Sequence, residues 1–131
     1  MAELIIVTGP PGAGKSTVAR ELMQEFEPSS LVVGDVFFGF LGRGAIAPWL
    51  PEAHAQNQVV LQAAAVATGL FVVGGQTVVY DGVVGPWALP DFAAAAGLAQ
   101  LGYVVLMPSQ ERCLRRVATR VGHGLTAIPF S

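Results

Sequence analysis

The chain has 131 residues, 53% of them apolar and only 12% charged, and its net charge is −2. That length suits one domain with a substantial core, and the apolar excess excludes a disordered chain. The slight negative charge offers no general attraction for nucleic acid or an anionic membrane surface, so neither is expected as a partner.

In chain order, "ELIIVTG" is a short unbroken apolar run, as in a strand buried on both faces of a parallel sheet. A glycine-rich loop follows, and "KSTVARELMQEF" predicts a helix with Val18, Leu22 and Phe26 on one face, ended by Pro28. "SLVVGD" predicts a second strand ending at Gly34-Asp35, and "VFFGFLGRGAIAPW" is irregular. Pro51 starts a helix expected to stop at Gly69. "TVVYDG" is a third strand, "LPDFAAAAG" a short helix and "YVVLMP" a fourth strand. Ser109 is placed to cap a last helix, "QERCLRRVATRV", and the tail from Gly122 shows no clear element. Strands alternating with helices predict a single α/β domain over residues 1–131, with a mostly parallel sheet flanked by helices.

Several other assignments are disfavoured. The longest apolar stretch, residues 59–80, is broken by Gln62, Thr68, Gly69, Gly74, Gly75 and Gln76, which suits a helix end, a turn and a strand better than a membrane span. The apolar run Leu4 to Val7 is too short for a signal peptide and has no basic region before it. Cys113, the single cysteine, forms no internal disulfide and lacks metal-ligand spacing. A reducing, cytoplasmic setting is therefore expected.

The only lysine of the chain falls in "GPPGAGKST". Gly9, Pro10, Pro11, Gly12, Ala13, Gly14, Lys15 and Ser16 match G-x-x-x-x-G-K-[ST], with Thr17 after them, between a buried strand and an amphipathic helix. Glycines let the main chain curl so that its N–H groups form an anion nest, and the helix N-terminus adds unpaired donors. Lys15 supplies a point charge for the outer phosphates and Ser16 a hydroxyl for Mg²⁺. The competing dinucleotide fingerprint fails, because its third glycine would fall on Thr17.

Asp35 and Asp81 both fall at the C-terminal ends of predicted strands, where ligands bind in open parallel sheets. A carboxylate there can take the proton of a substrate hydroxyl or hold Mg²⁺. Asp81-Gly82 is also a hairpin signal, although the run after it is short. Arg112, Arg116 and Arg120 recur every fourth residue, on one face of the expected helix, and arginine binds phosphate as a fork. His54, Gln56 and Asn57 open the second helix and could line a substrate pocket, or simply face solvent. Arg43 favours an acidic substrate, whereas Phe37, Phe38, Trp49 and Trp87 favour a ring.

Taken together, the phosphate loop, the "GD" at 34–35, the "YDG" at 80–82 and the "RVATR" at 116–120 make the chain resemble P-loop kinases of small molecules and nucleotides. Shikimate, gluconate and adenylate kinases and chloramphenicol phosphotransferase are examples. The resemblance implies a three-layer P-loop NTPase fold, C-terminally shortened because the usual fifth strand and closing helix have no counterpart before Ser131. It implies ATP and Mg²⁺ as cofactors and an ATP-dependent phosphotransferase acting on a small hydroxyl-bearing molecule. Lys15, Asp35 and Arg120 would be catalytic, Gly9 to Thr17 with Arg116 and Arg120 would hold the nucleotide, and Ser16 and Asp81 would serve the metal. Alternatives are a nucleotide-binding module without transfer, or an NTPase that hydrolyses ATP for a partner. A missing strand would leave an exposed edge and invite self-association.

Overall fold

A computed structural model describes residues 2–10 and 12–107, together with the backbone of two further strands at 112–118 and 126–129. Four strands, β1 (Leu4–Thr8), β2 (Ser29–Val33), β3 (Thr77–Asp81) and β4 (Gln100–Leu106), run parallel in the order β2-β3-β1-β4. β5 (Arg112–Ala118) pairs antiparallel with β4, and β6 (Thr126–Pro129) antiparallel with β5. Every residue of β1 and β3 is buried, as expected of central strands covered on both faces.

The alternation of side chains along each strand builds two cores. Ile5, Val7, Val79, Val104 and Leu106 meet α1 (Lys15–Met23) through Ala19, Val18 and Leu22. A short α2 (Gly34–Phe38) follows β2 directly, and one turn of 3-10 helix, Pro51–Ala53, leads into α3 (His54–Val73). Leu4, Ile6, Val78, Tyr80, Leu101 and Tyr103 meet α3 and α4 (Leu89–Ala96) through Ala64, Ala65, Phe92 and Ala93. The domain is therefore a three-layer α/β sandwich, as its sequence pattern implies.

Four expectations change. First, α1 stops at Met23, and Gln24, Glu25 and Phe26 bond to carbonyls three residues back, a tightened last turn that closes the helix before Pro28. Second, β2 ends at Val33, so Asp35 lies in the first turn of α2 and not at a strand end.

Third, Gly69 does not end the second long helix, which runs on to Val73. A Cβ at Gly69 would lie 2.1 Å from the Ala96 carbonyl oxygen, so this glycine lets the backbones of α3 and α4 approach. With the preceding turn, Pro51–Val73 is one helical stretch long and apolar enough by length and composition to cross a membrane, and 33% of its most apolar window is buried in the protein. Val59, Val66, Leu70 and Val73 are exposed along it.

Fourth, residues 112–118 of the expected helix form strand β5, and part of the tail is β6. A spacing of four residues is one helical turn but also two strand repeats, so the arginine pattern does not discriminate. The open edge of β4 decides the outcome: an unpaired row of N–H and C=O groups is satisfied by an added strand. A strand also separates residues four apart by about 13 Å, which relieves the like-charge crowding that a helix would impose on Arg112 and Arg116.

Candidate phosphate-transfer site

The loop between β1 and α1 is shaped by glycines. Gly12 and Gly14 have φ of 83° and 88°, a left-handed conformation in which a side chain would be strained. Gly14 is the N-cap of α1 and offers no side-chain cap, and the first turn carries no acid. The N–H groups at the start of α1 thus have no side-chain acceptor of the usual kind, which suits this end to an anion. The Ala13 N–H and the Lys15 ammonium both donate to the Pro10 carbonyl, at 3.2 and 3.4 Å, so the lysine folds back over its own loop. Gly9 and Pro10 precede this turn, Thr17 is exposed in the first turn of α1, and Pro11 lies outside the described residues.

Asp81 closes β3 and is 5% exposed, opposite Val7 of β1 and Val33 of β2. The Ser16 hydroxyl donates to its carboxylate at 3.0 Å. No hairpin follows Asp81-Gly82, since β3 is parallel to both neighbours and the chain leaves for α4. A hydroxyl and a carboxylate side by side suit a hard cation such as Mg²⁺, which takes one or two protein oxygens and completes its shell with water and phosphate. No group of three or more His, Cys, Asp or Glu side chains among the described residues could hold a metal by itself, so a cation here would depend on the nucleotide.

Tyr80 precedes Asp81 on β3 and lies buried in the core under α3 and α4. Burial, then the charges of Asp35 and Asp81, push its hydroxyl up to about 12. Its ring meets Phe92 edge to face at 5.0 Å between centroids. A Cβ on Gly34 would lie 2.5 Å from the Tyr80 oxygen, so Gly34 keeps room for the phenol directly beneath Asp35. Asp35 is exposed at the start of α2. Both carboxylates named from the sequence therefore lie at the C-terminal end of the sheet, close enough for their charges to act on one buried phenol.

The segment after β3 is fixed from two sides. The Val84 N–H donates to the Thr8 hydroxyl at 2.9 Å, and the Tyr103 hydroxyl donates to the Val84 carbonyl. Burial also raises the Tyr103 hydroxyl above its ordinary range. Beyond this anchor, Trp87 and Asp91 form one wall of a cleft of about 690 Å³, whose other wall is His54, Asn57 and Gln58. Gln56 plays another part, since its side-chain amide bonds both the N–H and the carbonyl of Ile46, at 2.8 and 2.9 Å. Asn57 holds the Pro48 carbonyl at 2.9 Å. Together they latch the exposed loop 39–50, which carries Arg43 and Trp49, onto α3.

The arginines are not on a helix. Register places Arg112 opposite Leu106, the residue whose carbonyl oxygen would lie 2.7 Å from a Cβ on Gly9, whereas Arg116 pairs with Gly102 farther down β4. Arg120 lies outside the described residues. Sequence reasoning misses Tyr80, Thr8, Tyr103 and the Gln56 latch. The "GD" and "YDG" are the available signal for Tyr80, because Gly34 at the start of α2 and Gly82 after β3 leave space for its ring. The bonds of Thr8, Tyr103 and Gln56 go to backbone groups that carry no side-chain signal and leave no local trace.

The model of a family described as "AAA domain" matches residues 5–124. The chain belongs to this family. Solved structures share the fold at low sequence identity. A variant of the Mycobacterium tuberculosis APS kinase CysC is 21% identical with a TM-score of 0.60, the match covering 85% of this chain and 79% of that one. APE1195 is 21% identical with a TM-score of 0.57, over 81% of this chain and 59% of its own. A chain of the Pnkp1/Rnl/Hen1 RNA repair complex is 20% identical with a TM-score of 0.59, over 80% of this chain and 33% of its own. This domain thus spans less than two thirds of the last two. No curated protein matches the sequence. These likenesses agree with a P-loop kinase-like fold, as the first loop implies.

Proposed function

We propose that the chain binds a nucleoside triphosphate, ATP in the first instance, at Gly9–Thr17 with Mg²⁺, and passes the terminal phosphoryl group to a small hydroxyl-bearing acceptor. The observation that carries this reading is the Ser16–Asp81 hydrogen bond of 3.0 Å, because it joins the phosphate loop to a buried acid at the neighbouring strand end. That is the pairing of P-loop hydroxyl and strand-end aspartate that holds Mg²⁺ against phosphates in such sites.

On this reading the loop N–H groups and the start of α1 hold the phosphates. Lys15 leaves the Pro10 carbonyl for the outer phosphates and neutralises charge that grows there during transfer. Bound Mg²⁺ would supply Lewis-acid polarisation of the phosphoryl oxygens, held by Ser16 and Asp81. The acceptor oxygen bonds to the γ-phosphorus as the bond from that phosphorus to the ADP oxygen breaks, and Asp35 takes the acceptor proton. Arg112, by register beside the phosphate-loop end of the sheet, is better sited to meet phosphate than Arg116. Arg116 pairs with Gly102 farther from that end, and Arg120 lies outside the described residues.

The test is incubation with γ-labelled ATP, Mg²⁺ and a metabolite panel. A labelled metabolite supports the kinase. Free phosphate alone favours an NTPase, and binding without turnover favours a nucleotide-binding module.

A further inference from the structure

We propose that the cleft between α3 and α4 is the acceptor site, and that it takes a hydroxyl-bearing ring compound with no negative charge. This rests on the phosphotransfer reading and names its substrate class.

Topology puts the cleft mouth at the right end of the sheet. α3 enters β3 through the Gly74-Gly75 turn, so its first residues lie at the C-terminal end of the strands, where the phosphate loop is. α4 departs from that same end after Asp81. His54, Asn57 and Trp87 therefore stand at the transfer end, while the cleft continues down between the helices. Its inner wall also leads toward α2: Phe92 touches Tyr80, and the Tyr80 oxygen lies beside Gly34, the residue before Asp35.

Trp87 is 84% exposed, yet it is held in place. Both backbone groups of Val84 are bonded by side chains of β1 and β4, which fixes the approach to it. The indole lies against the backbone of Gly85, where a Cβ would fall 2.3 Å from a ring carbon. An exposed aromatic face on an anchored backbone is a stacking surface for a ring.

The polar lining then sets the charge. Asp91 is the one charged side chain on the cleft wall, accompanied by His54, Asn57 and Gln58, and no arginine or lysine among the described residues lines it. Carboxylate, amide and imidazole groups pair with hydroxyl and amino groups. A carboxylate or phosphate on the acceptor would meet Asp91 with no guanidinium or ammonium to bind it. Arg43 is exposed in the loop 39–50 and forms no part of the wall. The volume suits a compound of one or two rings.

The experiment titrates the purified chain, without nucleotide, with D-glucosamine, D-glucose, myo-inositol and D-glucuronate at millimolar concentrations, read by calorimetry and tryptophan fluorescence. MgATP is titrated separately. At least one of the first three should bind tenfold or more tightly than glucuronate. Trp87→Ala should weaken that binding at least tenfold, Asp91→Asn should selectively weaken glucosamine, and Trp49→Ala should change neither. If glucuronate binds best, if none of the four binds, or if Trp87→Ala leaves binding intact while MgATP still binds, the assignment is overturned and the phosphate-loop reading survives. Probe binding at Trp87 with no uptake of MgATP contradicts the phosphotransfer reading instead.

Discussion

The Ser16 hydroxyl bonds the Asp81 carboxylate at 3.0 Å although 65 positions separate them in the chain. The parallel pairing of β1 with β3 brings the phosphate-loop hydroxyl to that acid, so the fold itself assembles the pair proposed to hold the cation. Asp81→Asn keeps the shape but removes the charge that a divalent cation needs. We expect the Mg²⁺ concentration for half-maximal transfer to rise at least tenfold and kcat to fall by about a hundredfold. Turnover titrated with Mg²⁺ at saturating ATP checks this.

Tyr80 supplies a pH dependence. Its hydroxyl is pushed up to about 12 from the usual 10, first by burial and then by Asp35 and Asp81. The folded state therefore holds this proton more tightly than the unfolded chain does. The associated stability is fully present below pH 10 and is lost as pH rises toward 12, by up to about 3 kcal/mol. Urea denaturation at pH 8 and pH 11 should show the loss, and Tyr80→Phe should show a smaller one over the same interval.

The close approach at Gly69 is a packing claim. Gly69→Ala would place a methyl group 2.1 Å from the Ala96 carbonyl oxygen, with backbone and not a movable side chain in the way. The helices must separate, at a cost of about 3 kcal/mol. A drop in the urea midpoint without a change of slope measures it. If this glycine were merely an unpacked position in the helix interior, alanine would be neutral or stabilising.

Gln56 gives a kinetic prediction. Its two bonds to Ile46 hold the loop that carries Arg43. Gln56→Ala should expose that loop, so trypsin should cut after Arg43 several-fold faster while the core stays intact. Mass spectrometry of timed digests reads the site of cleavage.

The four parallel strands and the phosphate loop are legible in the sequence because each is a local pattern: unbroken apolar runs, and glycines at fixed offsets before a lysine. The site is legible only by residue. Asp35 and Asp81 stand out by their places after apolar runs, but their nearness to each other depends on β2 lying beside β3, which no local window contains. Gly69 misleads because a glycine near a helix end signals a stop, and the contact that explains it comes from α4. Arg112 to Ala118 misleads because a spacing of four fits both helix and strand, and the deciding factor is an open edge on β4.

The account depends most on the phosphate loop. Calorimetry with MgATP on the intact chain and on Lys15→Ala tests it directly. We expect saturable binding at one site, weakened at least tenfold in the variant, with both proteins equally stable to urea to within about 0.5 kcal/mol. Equal affinity in the two folded proteins, or no heat with either at millimolar MgATP, would contradict it.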